Sequence, residues 1–333
     1  MNLKKSALAV AVASIIATPA ATTVYAADHS WNGRVHYRLE MDEDEDLSMH
    51  SAGHRIAVGG SADSNGGQKI GYFVEGEIQS DTNPVGPASR SGGDLEWRHH
   101  NVYISGDWGE ARIGRQNNPH NQVYKTDIFE RESGPHQIAP FRVGDAAIYS
   151  GDFGVFGLYG GLVMDGQGVE PTGTSFADFD SIIYGANFNI GKSVAITVGG
   201  QEIDIEGSTG VEHSIVGVGA SWSAGSWYVA GEYETDSVKT APSAPSSDVD
   251  VFALAVLWKM PNGNTSLGGG YSVESPDTGS APSQDETRIM LGAYHNLGGG
   301  ADTYLEYGDT DLDNAPSNFP STRITWGFRV KWN

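Results

Sequence analysis

Hydrophobic and polar residues alternate with a period of two along many short segments of this chain. In residues 30–40, Val35 and Tyr37 alternate with Arg34 and His36. The same alternation recurs in residues 180–190, 194–201 and 321–332. Because successive side chains of a β-strand point to opposite faces of the sheet, the pattern predicts strands with one apolar and one polar face.

The pattern divides the chain into sixteen β-rich segments. The predicted strands are 30–40, 52–62, 67–79, 95–106, 109–116, 143–150, 153–164, 178–190, 193–203, 212–223, 226–235, 249–260, 264–273, 285–296, 300–308 and 321–332. An even number of antiparallel strands places both ends of the chain at the same end of the assembly.

The connectors between these segments alternate between short and long. Tight turns rich in Gly, Asp and Asn lie at 106–109, 150–153, 223–225, 261–264 and 296–299. Polar loops lie near 41–53, 80–94, 116–142, 165–177, 204–211, 235–248, 274–284 and 308–320. Barrels of the outer membrane have short periplasmic turns and long outward loops, so the fold class predicted is a transmembrane antiparallel β-barrel of the all-β class.

Such a barrel is expected to be closed and hollow. In lipid every backbone N–H and C=O needs a partner within the protein, so the first strand is expected to pair with the last. Sixteen strands enclose a space too wide for side chains to fill, which leaves an aqueous channel.

The beginning of the chain predicts export. Lys4 and Lys5 precede a short apolar run, and Val24-Tyr25-Ala26 fits the small-residue rule for signal cleavage. We expect residues 1–26 to be a cleaved signal peptide and residues 27–333 to form the barrel domain. The apolar run is shorter than the about 20 residues that a membrane-spanning helix needs.

Composition narrows the classes of function. The chain has no cysteine, which excludes disulfides, metal–thiolate sites and cysteine nucleophiles. Its formal charge of −22 argues against nucleic acid and anionic lipid as partners. No serine-nucleophile elbow, phosphate loop or zinc-protease motif is present, so we expect neither an enzyme nor a cofactor.

Six of the eight tryptophans fall next to the predicted periplasmic ends of strands. They are Trp31, Trp108, Trp222, Trp227, Trp258 and Trp332, whereas Trp97 and Trp326 lie elsewhere. A one-sided cluster is typical of the aromatic girdle at a membrane interface, and ordinary buried tryptophan is the alternative.

The third and longest loop carries aromatic residues within a polar segment. Its central part reads Tyr124-Lys125-Thr126-Asp127-Ile128-Phe129-Glu130-Arg131-Glu132-Ser133-Gly134. Long loops without regular structure are usually functional or disordered. The apolar side chains of this loop predict that it packs against the barrel.

Several short stretches, in order along the chain, carry a family resemblance. They are Asn32-Gly33-Arg34, His54-Arg55-Ile56, 98–109, Ile113-Gly114-Arg115-Gln116, Thr126-Asp127-Ile128-Phe129 with Gly134, and Phe141-Arg142-Val143-Gly144. Together they make the mature chain resemble the Gram-negative general porins. The resemblance implies a homotrimer of sixteen-stranded barrels, with the third loop folded into each lumen.

The resemblance also implies an eyelet in which loop carboxylates face a wall of arginines. The matched wall positions are Arg34, Arg55, Arg98 and Arg142. Asp127 matches the first loop carboxylate. The second aligns with Arg131, which is a departure from the family, and the flanking Glu130 and Glu132 are candidates to replace it.

Physical reasoning supports this placement of the arginines. An unpaired charge on the lipid face of a barrel costs about 2–4 kcal/mol at the membrane midplane, so the arginines are expected to face the lumen. Opposed carboxylates and guanidinium groups would create a transverse field across a narrow pore. The alternative is that the arginines pair structurally with Glu75, Glu77 or loop acids.

Other candidate sites are weaker. Residues 42–46 are all acidic and suit either contact with lipopolysaccharide through divalent cations or a solvated loop. Asp309, Asp311 and Asp313 begin like a calcium loop, but the glycine and the final glutamate of that motif are missing. We therefore expect no metal site.

The C-terminal segment suggests an assembly signal. General porins end on an aromatic residue that is recognised by the barrel-assembly machinery, and this chain ends Lys331-Trp332-Asn333. Trp332 and Phe328 are the candidate signal residues, and periplasmic chaperones are implied as further partners.

The function predicted is passive diffusion of small hydrophilic solutes and ions across the outer membrane, with weak selectivity for cations. A substrate-specific channel for a sugar, phosphate or carboxylate is one alternative. Phe73, Tyr294 and Tyr304 are candidate lumen aromatics for a sugar channel, but they form no continuous ladder in the sequence. A non-conducting adhesin or structural barrel, and an outer-membrane enzyme, are the others.

Overall fold

The structure is a computed structural model of the chain. It describes residues 28–43, 47–64, 66–78, 95–130, 135–164, 181–203, 212–239, 246–277, 284–313 and 321–333. The predicted signal peptide, Glu132 and most of the acidic run at 42–46 lie outside the described residues.

Antiparallel strands make up nearly all of the described chain. They are β1 (Asp28–Asp42), β2 (Ser48–Ser51), β3 (His54–Asp63), β4 (Lys69–Ile78), β5 (Leu95–Gly106), β6 (Gly109–Asn117), β7 (Arg142–Asp152), β8 (Phe156–Val163), β9 (Ser181–Ile190), β10 (Val194–Ile203), β11 (Glu212–Ala224), β12 (Trp227–Lys239), β13 (Ser247–Lys259), β14 (Thr265–Asp277), β15 (Glu286–Gly298), β16 (Ala301–Leu312) and β17 (Thr322–Trp332). A single 3-10 helix, Pro119–Val123, follows β6 within the described ranges.

The strands form one closed sheet. From β3 to β17, consecutive strands pair with each other, and β1 pairs with β17 from Gly33↔Trp332 to Asp42↔Arg323. Both β2 and β3 pair with β1, one after the other, so they are two parts of a single interrupted barrel strand. The prediction of a closed sixteen-stranded antiparallel barrel is therefore confirmed.

The interruption between β2 and β3 was not predicted. It lies at Ala52-Gly53, where Gly53 has a φ of +88°, a conformation that favours glycine. Arg34 of β1 holds this break, since its guanidinium donates to the carbonyl oxygens of Gly53 at 3.0 Å and of Ala52 at 3.2 Å.

Large apolar side chains point outward and small or polar ones inward. On β13, Phe252 and Leu254 are exposed, whereas the alternating Ala253 and Ala255 are buried. A band of exposed apolar side chains around a closed barrel is the surface that a membrane-spanning barrel presents to lipid. No helix among the described residues is long and apolar enough to cross a membrane.

The connectors alternate as the sequence indicates. Short ones occupy 64–68, 107–108, 153–155, 191–193, 225–226, 260–264 and 299–300, and longer ones join the opposite ends of the same strands. The first connector at those ends is an exception: it spans only 43–47, because β2 occupies part of the predicted loop 41–53. Strands β12, β14 and β16 extend further into the long connectors than predicted, ending at Lys239, Asp277 and Leu312. Cross-strand pairing continues to these residues in each case.

Several of the predicted girdle tryptophans are exposed beside the short connectors. Trp31, Trp222, Trp227 and Trp332 are all more than one-third exposed. Trp227 stacks on Trp258 with ring centroids 5.9 Å apart. Exposure of such large aromatic groups fits an interface with lipid headgroups better than a protein core.

Candidate pore constriction

The third loop comprises residues 118–141, between β6 and β7. It begins with the 3-10 helix, whose start is capped by Asn118: the side-chain oxygen accepts a hydrogen bond from the His120 N–H at 3.0 Å. The two ends of the loop are joined, because Asn118 N–H donates to the Phe141 carbonyl at 3.0 Å and the Asn121 amide donates to the same oxygen at 2.7 Å. The loop therefore leaves the barrel wall and returns to it at neighbouring positions.

Two glutamates of β12 bind residues near both ends of this loop. Glu234, which is 1% exposed, accepts hydrogen bonds from His120 Nε2 at 2.7 Å, the Tyr124 hydroxyl at 3.0 Å and the Ile138 N–H at 2.8 Å. Glu232 accepts one from the Thr126 N–H at 2.9 Å. These partners satisfy the Glu234 carboxylate, which would otherwise be costly to bury, whereas Glu232 Oε1 is buried without a hydrogen-bond partner among the described residues.

The two ends of the loop are packed as well as hydrogen-bonded. Val123, Tyr124 and Ala139 of the loop form a buried cluster with Ile215 of β11. Burial, followed by the neighbouring Glu234 charge, raises the pKa of the Tyr124 hydroxyl. Tyr124 therefore stays protonated and remains a hydrogen-bond donor to that carboxylate.

The next part of the loop contacts β16 and β17. Glu306 of β16 accepts hydrogen bonds from the Glu130 N–H at 2.7 Å and from the Tyr294 hydroxyl at 2.8 Å. The Glu130 carboxylate pairs with Arg329 Nη1 of β17 at 2.6 Å. Glu130 is thus held by both its backbone and its side chain.

His136 attaches the returning part of the loop to β14 and β15. Its ring is hydrogen-bonded to the Ser272 hydroxyl at 3.1 Å and to Glu286 at 3.0 Å. Burial, followed by the charge of Arg288, lowers the pKa of His136. The loop therefore has contacts spread over β11, β12 and β14 to β17.

Asp127 is the more exposed of the two predicted loop carboxylates that the structure describes. It is exposed, in contrast to the buried Thr126 and Phe129 beside it. Partial removal of the carboxyl group from water nevertheless raises the pKa of Asp127; a hydrogen bond from Gln137 opposes this effect, and the Glu130 charge adds to it.

The predicted basic wall, Arg34, Arg55, Arg98 and Arg142, lies on β1, β3, β5 and β7. Arg34 and Arg55 are cross-strand partners, and Arg55 is in turn opposite Glu77. Arg98 is the extra residue of a β-bulge, because Glu75 pairs with His99 while Gly76 pairs with Trp97. Sequence alternation alone does not place a bulged residue.

Two acidic residues lie within the basic wall. Arg55 Nε is 2.9 Å from Glu77, and Arg98 contacts Glu75 and Glu77 at 2.8 Å each. The alternative that the arginines pair with these glutamates therefore holds for two of the four. Arg142 Nε, although buried, has no hydrogen-bond partner within the described part of the chain.

The sequence analysis missed the residues that hold the loop. Glu232 and Glu234 are two apart on β12, so their spacing already indicated that both carboxylates share the inward face. Arg329 lies on the polar face of the last predicted strand and was not assigned to the eyelet. No sequence signal indicates that Glu306 binds the backbone of Glu130.

Two other predicted features have definite positions. At the start of the acidic run, Asp42 is paired with Arg323, and Glu43 accepts a hydrogen bond from the Ser321 hydroxyl at 2.5 Å. Phe328 and Trp332 both point outward from β17 and are more than one-third exposed. Within the described ranges, no group of three or more His, Asp or Glu residues is arranged to hold a metal ion.

A closed antiparallel barrel with an apolar outer surface and a charged interior defines the class of outer-membrane channels. The family model of Gram-negative porins matches residues 7–315. The chain belongs to the Gram-negative porin family, which places it in the outer membrane. No curated protein sequence matches the chain.

Solved structures with the same fold are distant in sequence. The trimer form of OmpT, an outer-membrane protein of Vibrio cholerae, is 18% identical with a TM-score of 0.74, covering 92% of this chain and 100% of that one. An anion-selective porin from Comamonas acidovorans is 19% identical with a TM-score of 0.74, over 92% and 100%. The outer-membrane channel DcaP of Acinetobacter baumannii is 13% identical with a TM-score of 0.66, over 92% and 97%.

Proposed function

We propose that the protein is a passive diffusion channel for small hydrophilic solutes and ions, and that its third loop narrows the lumen. The loop leaves β6, contacts β12 and β16, and returns to β7. In a ring of sixteen strands, a segment with those contacts crosses the interior. This set of contacts is the observation that carries the proposal.

We infer that the constriction lies between the loop acids and the basic wall. Glu130 interacts electrostatically with Arg34 on β1 while it is paired with Arg329 on β17. Asp127, Glu130 and Glu132 would line one side, and Arg34, Arg55, Arg98 and Arg142 the other. Such opposed charges select solutes by polarity and size.

We also propose weak selectivity for cations. Glu75 and Glu77 cancel part of the charge of the basic wall, and the whole chain carries a formal charge of −22. The fold itself does not decide the sign, since the Comamonas acidovorans porin of similar structure is anion-selective by its description. The sign is set by the residues that line the lumen.

The test is single-channel recording of the purified protein in a planar bilayer under a KCl gradient. We expect stepwise conductance and a reversal potential of cation-selective sign. Neutralising the loop acids with Asp127→Asn, Glu130→Gln and Glu132→Gln should shift the reversal potential toward anions. The matched control is Asp309→Asn, Asp311→Asn and Asp313→Asn, which removes the same charge near a long connector.

An unchanged reversal potential in the loop variant would refute the assignment of the constriction. Silence from correctly folded protein would instead favour a non-conducting structural barrel. A current that saturates with one solute would favour a substrate-specific channel.

We further propose that the channel is a homotrimer, as the resemblance implies and as the OmpT structure is described. Conductance steps in groups of three and a heat-resistant oligomer on gels would support this assembly. Cleavage after Ala26, recognition of Trp332 and Phe328 by the barrel-assembly machinery, and contact of the acidic run at 42–46 with lipopolysaccharide remain part of the same proposal.

A further inference from the structure

A polar cavity lies beside the third loop, at the barrel end that carries the short connectors. Its volume is about 600 Å³, and it is bounded by the loop residues Gln122 and Lys125 on one side. The barrel wall forms the other side. The principal polar wall residues are Ser105, Glu110, Ser150, Asn187, Asn189 and Thr197.

The wall residues of the cavity form one continuous row across six strands. Glu110 of β6 is the cross-strand partner of both Ser105 on β5 and Ser150 on β7. Asn187 of β9 is likewise opposite Gly157 on β8 and Thr197 on β10. The strand register therefore builds this surface, and the third loop covers part of it.

The cavity is lined by groups that both donate and accept hydrogen bonds. The Asn187 amide donates to Gln122 Oε1 at 2.5 Å, and its oxygen accepts from the Thr197 hydroxyl at 2.6 Å. Among the described residues, these bonds leave the Gln122 amide N–H groups and the whole Asn189 amide available, because each carboxamide has two donors and one acceptor.

The two carboxylates of the cavity already have partners. Glu110 is paired with Arg112 at 2.8 Å, and Asp152 accepts a hydrogen bond from the Gly154 N–H at 2.9 Å. Lys125 is the cationic residue among those that line the cavity, and its charge interacts with that of Glu232. A cationic ligand would compete with the Arg112 guanidinium, and an anionic one would meet two carboxylates, so a neutral ligand suits the cavity best.

We propose that this cavity is a binding subsite for neutral, hydroxyl-rich solutes of about the size of a monosaccharide. Hydroxyl groups donate and accept at the same time, which matches the amides and hydroxyls of the row. The volume falls within the usual range of small-molecule sites, about 300–1,000 Å³. The subsite depends on the proposed channel function in one respect: the channel is the route by which solutes reach the cavity.

The subsite is tested by binding, independently of conduction. Glucose is titrated against the purified, detergent-solubilised protein, and saturation-transfer NMR follows its binding. The test variant combines Asn189→Ala with Ser150→Ala, neither of which contacts the third loop through a hydrogen bond in the described chain. The control is Ser266→Ala, an inward-facing serine on β14 outside the cavity.

We expect wild-type protein and the Ser266→Ala control to bind glucose saturably with equal affinity. The double variant should bind about five- to tenfold more weakly, the loss expected for one or two hydrogen bonds. Filling the cavity with Ala195→Leu should lower the affinity further while the barrel remains folded.

Absence of saturable transfer to wild-type protein would overturn the subsite, as would equal affinity in all variants. Bilayer recordings on the same preparations separate the two proposals. Binding by a protein that does not conduct would overturn the channel function and leave the subsite in place. Conduction without saturable glucose binding would overturn the subsite and leave the channel function in place.

Discussion

The two sides of the barrel interior use glutamate in opposite ways. On β4, Glu75 and Glu77 remain partly exposed and pair with Arg55 and Arg98. On the facing strands, Glu232, Glu234 and Glu306 are nearly fully buried and accept hydrogen bonds from the third loop. We infer that the first group adjusts the charge of the lumen and that the second fixes its shape.

The difference in burial explains why glutamate adjusts the charge of the lumen on one side and fixes its shape on the other. A solvent-exposed carboxylate interacts weakly with its partner, so its charge still acts on ions in the lumen. A buried carboxylate has to satisfy its oxygens within the protein, so it fixes whatever supplies the donors. The comparison predicts that substitutions on the two sides change different properties of the channel.

The largest effect is expected from Glu234→Ala, because it removes the acceptor shared by His120, Tyr124 and the Ile138 N–H. Removing one partner of a buried charged network typically costs about 3–5 kcal/mol. We expect a lower thermal unfolding midpoint and a larger, noisier single-channel conductance as the third loop detaches.

The matched control is Glu202→Ala, which removes an exposed glutamate from β10. It should leave both properties unchanged. A normal, quiet conductance in Glu234→Ala would contradict the view that this carboxylate fixes the loop.

The next effect is expected from Glu75→Gln with Glu77→Gln. This change leaves Arg55 and Arg98 without their paired charges, so the lumen becomes more positive. We expect the reversal potential in a KCl gradient to move toward anions, with less loss of stability than in Glu234→Ala. A shift toward cations, or a collapse of the barrel, would show that these two glutamates have another role.

A smaller effect is expected from acid pH. Because the pKa of Asp127 is raised in the folded protein, its charge disappears at a higher pH than that of an ordinary aspartate, near 3.9. Cation selectivity should therefore begin to fall as the pH drops from neutral toward that value. The Asp127→Asn variant should lack this component when reversal potential is measured against pH.

The raised pKa of Asp127 also makes the free energy of unfolding depend on pH. Between the ordinary and the raised pKa, folded protein binds the Asp127 proton more tightly than unfolded protein does. The contribution of Asp127 to the free energy of unfolding therefore falls as the pH rises through that window and is recovered on acidification. If the unfolding midpoints of the wild type and of Asp127→Asn change with pH in the same way, the raised pKa of Asp127 is contradicted.

The smallest effect on the channel itself is expected from Trp332→Ala, because Trp332 belongs to neither group of glutamates inside the barrel and points outward. We expect less protein in the outer membrane and less heat-resistant oligomer, with normal conductance in the channels that do assemble. The control is Trp326→Ala, because Trp326 is also an exposed tryptophan of β17 but lies away from the short connectors. Equal assembly of the two variants would remove Trp332 as a signal.

Sequence alternation predicts the barrel because membrane and water impose the same rule on every strand. The strand β5, for example, runs over 95–106 in both the prediction and the structure. The break at Ala52-Gly53 was not predictable in this way. It depends on the Arg34 guanidinium reaching two backbone carbonyls from a neighbouring strand.

The candidate constriction was predicted in part for a similar reason. The arginines lie on strands, so alternation and family resemblance together indicate their positions. The third loop is held by contacts between residues far apart in sequence, such as Thr126 with Glu232 and Glu130 with Glu306. A pairing that distant leaves no periodic signal in either segment.

The seam between β1 and β17 has a consequence for biogenesis. It joins the two ends of the chain along ten residue pairs, from Gly33↔Trp332 to Asp42↔Arg323. A contact so distant in sequence forms late, since closing a long loop carries a large entropic cost. A product truncated before Thr322 would therefore keep the unpaired edge of β1, which lipid does not tolerate, so completeness of the polypeptide becomes a condition for stable residence in the membrane.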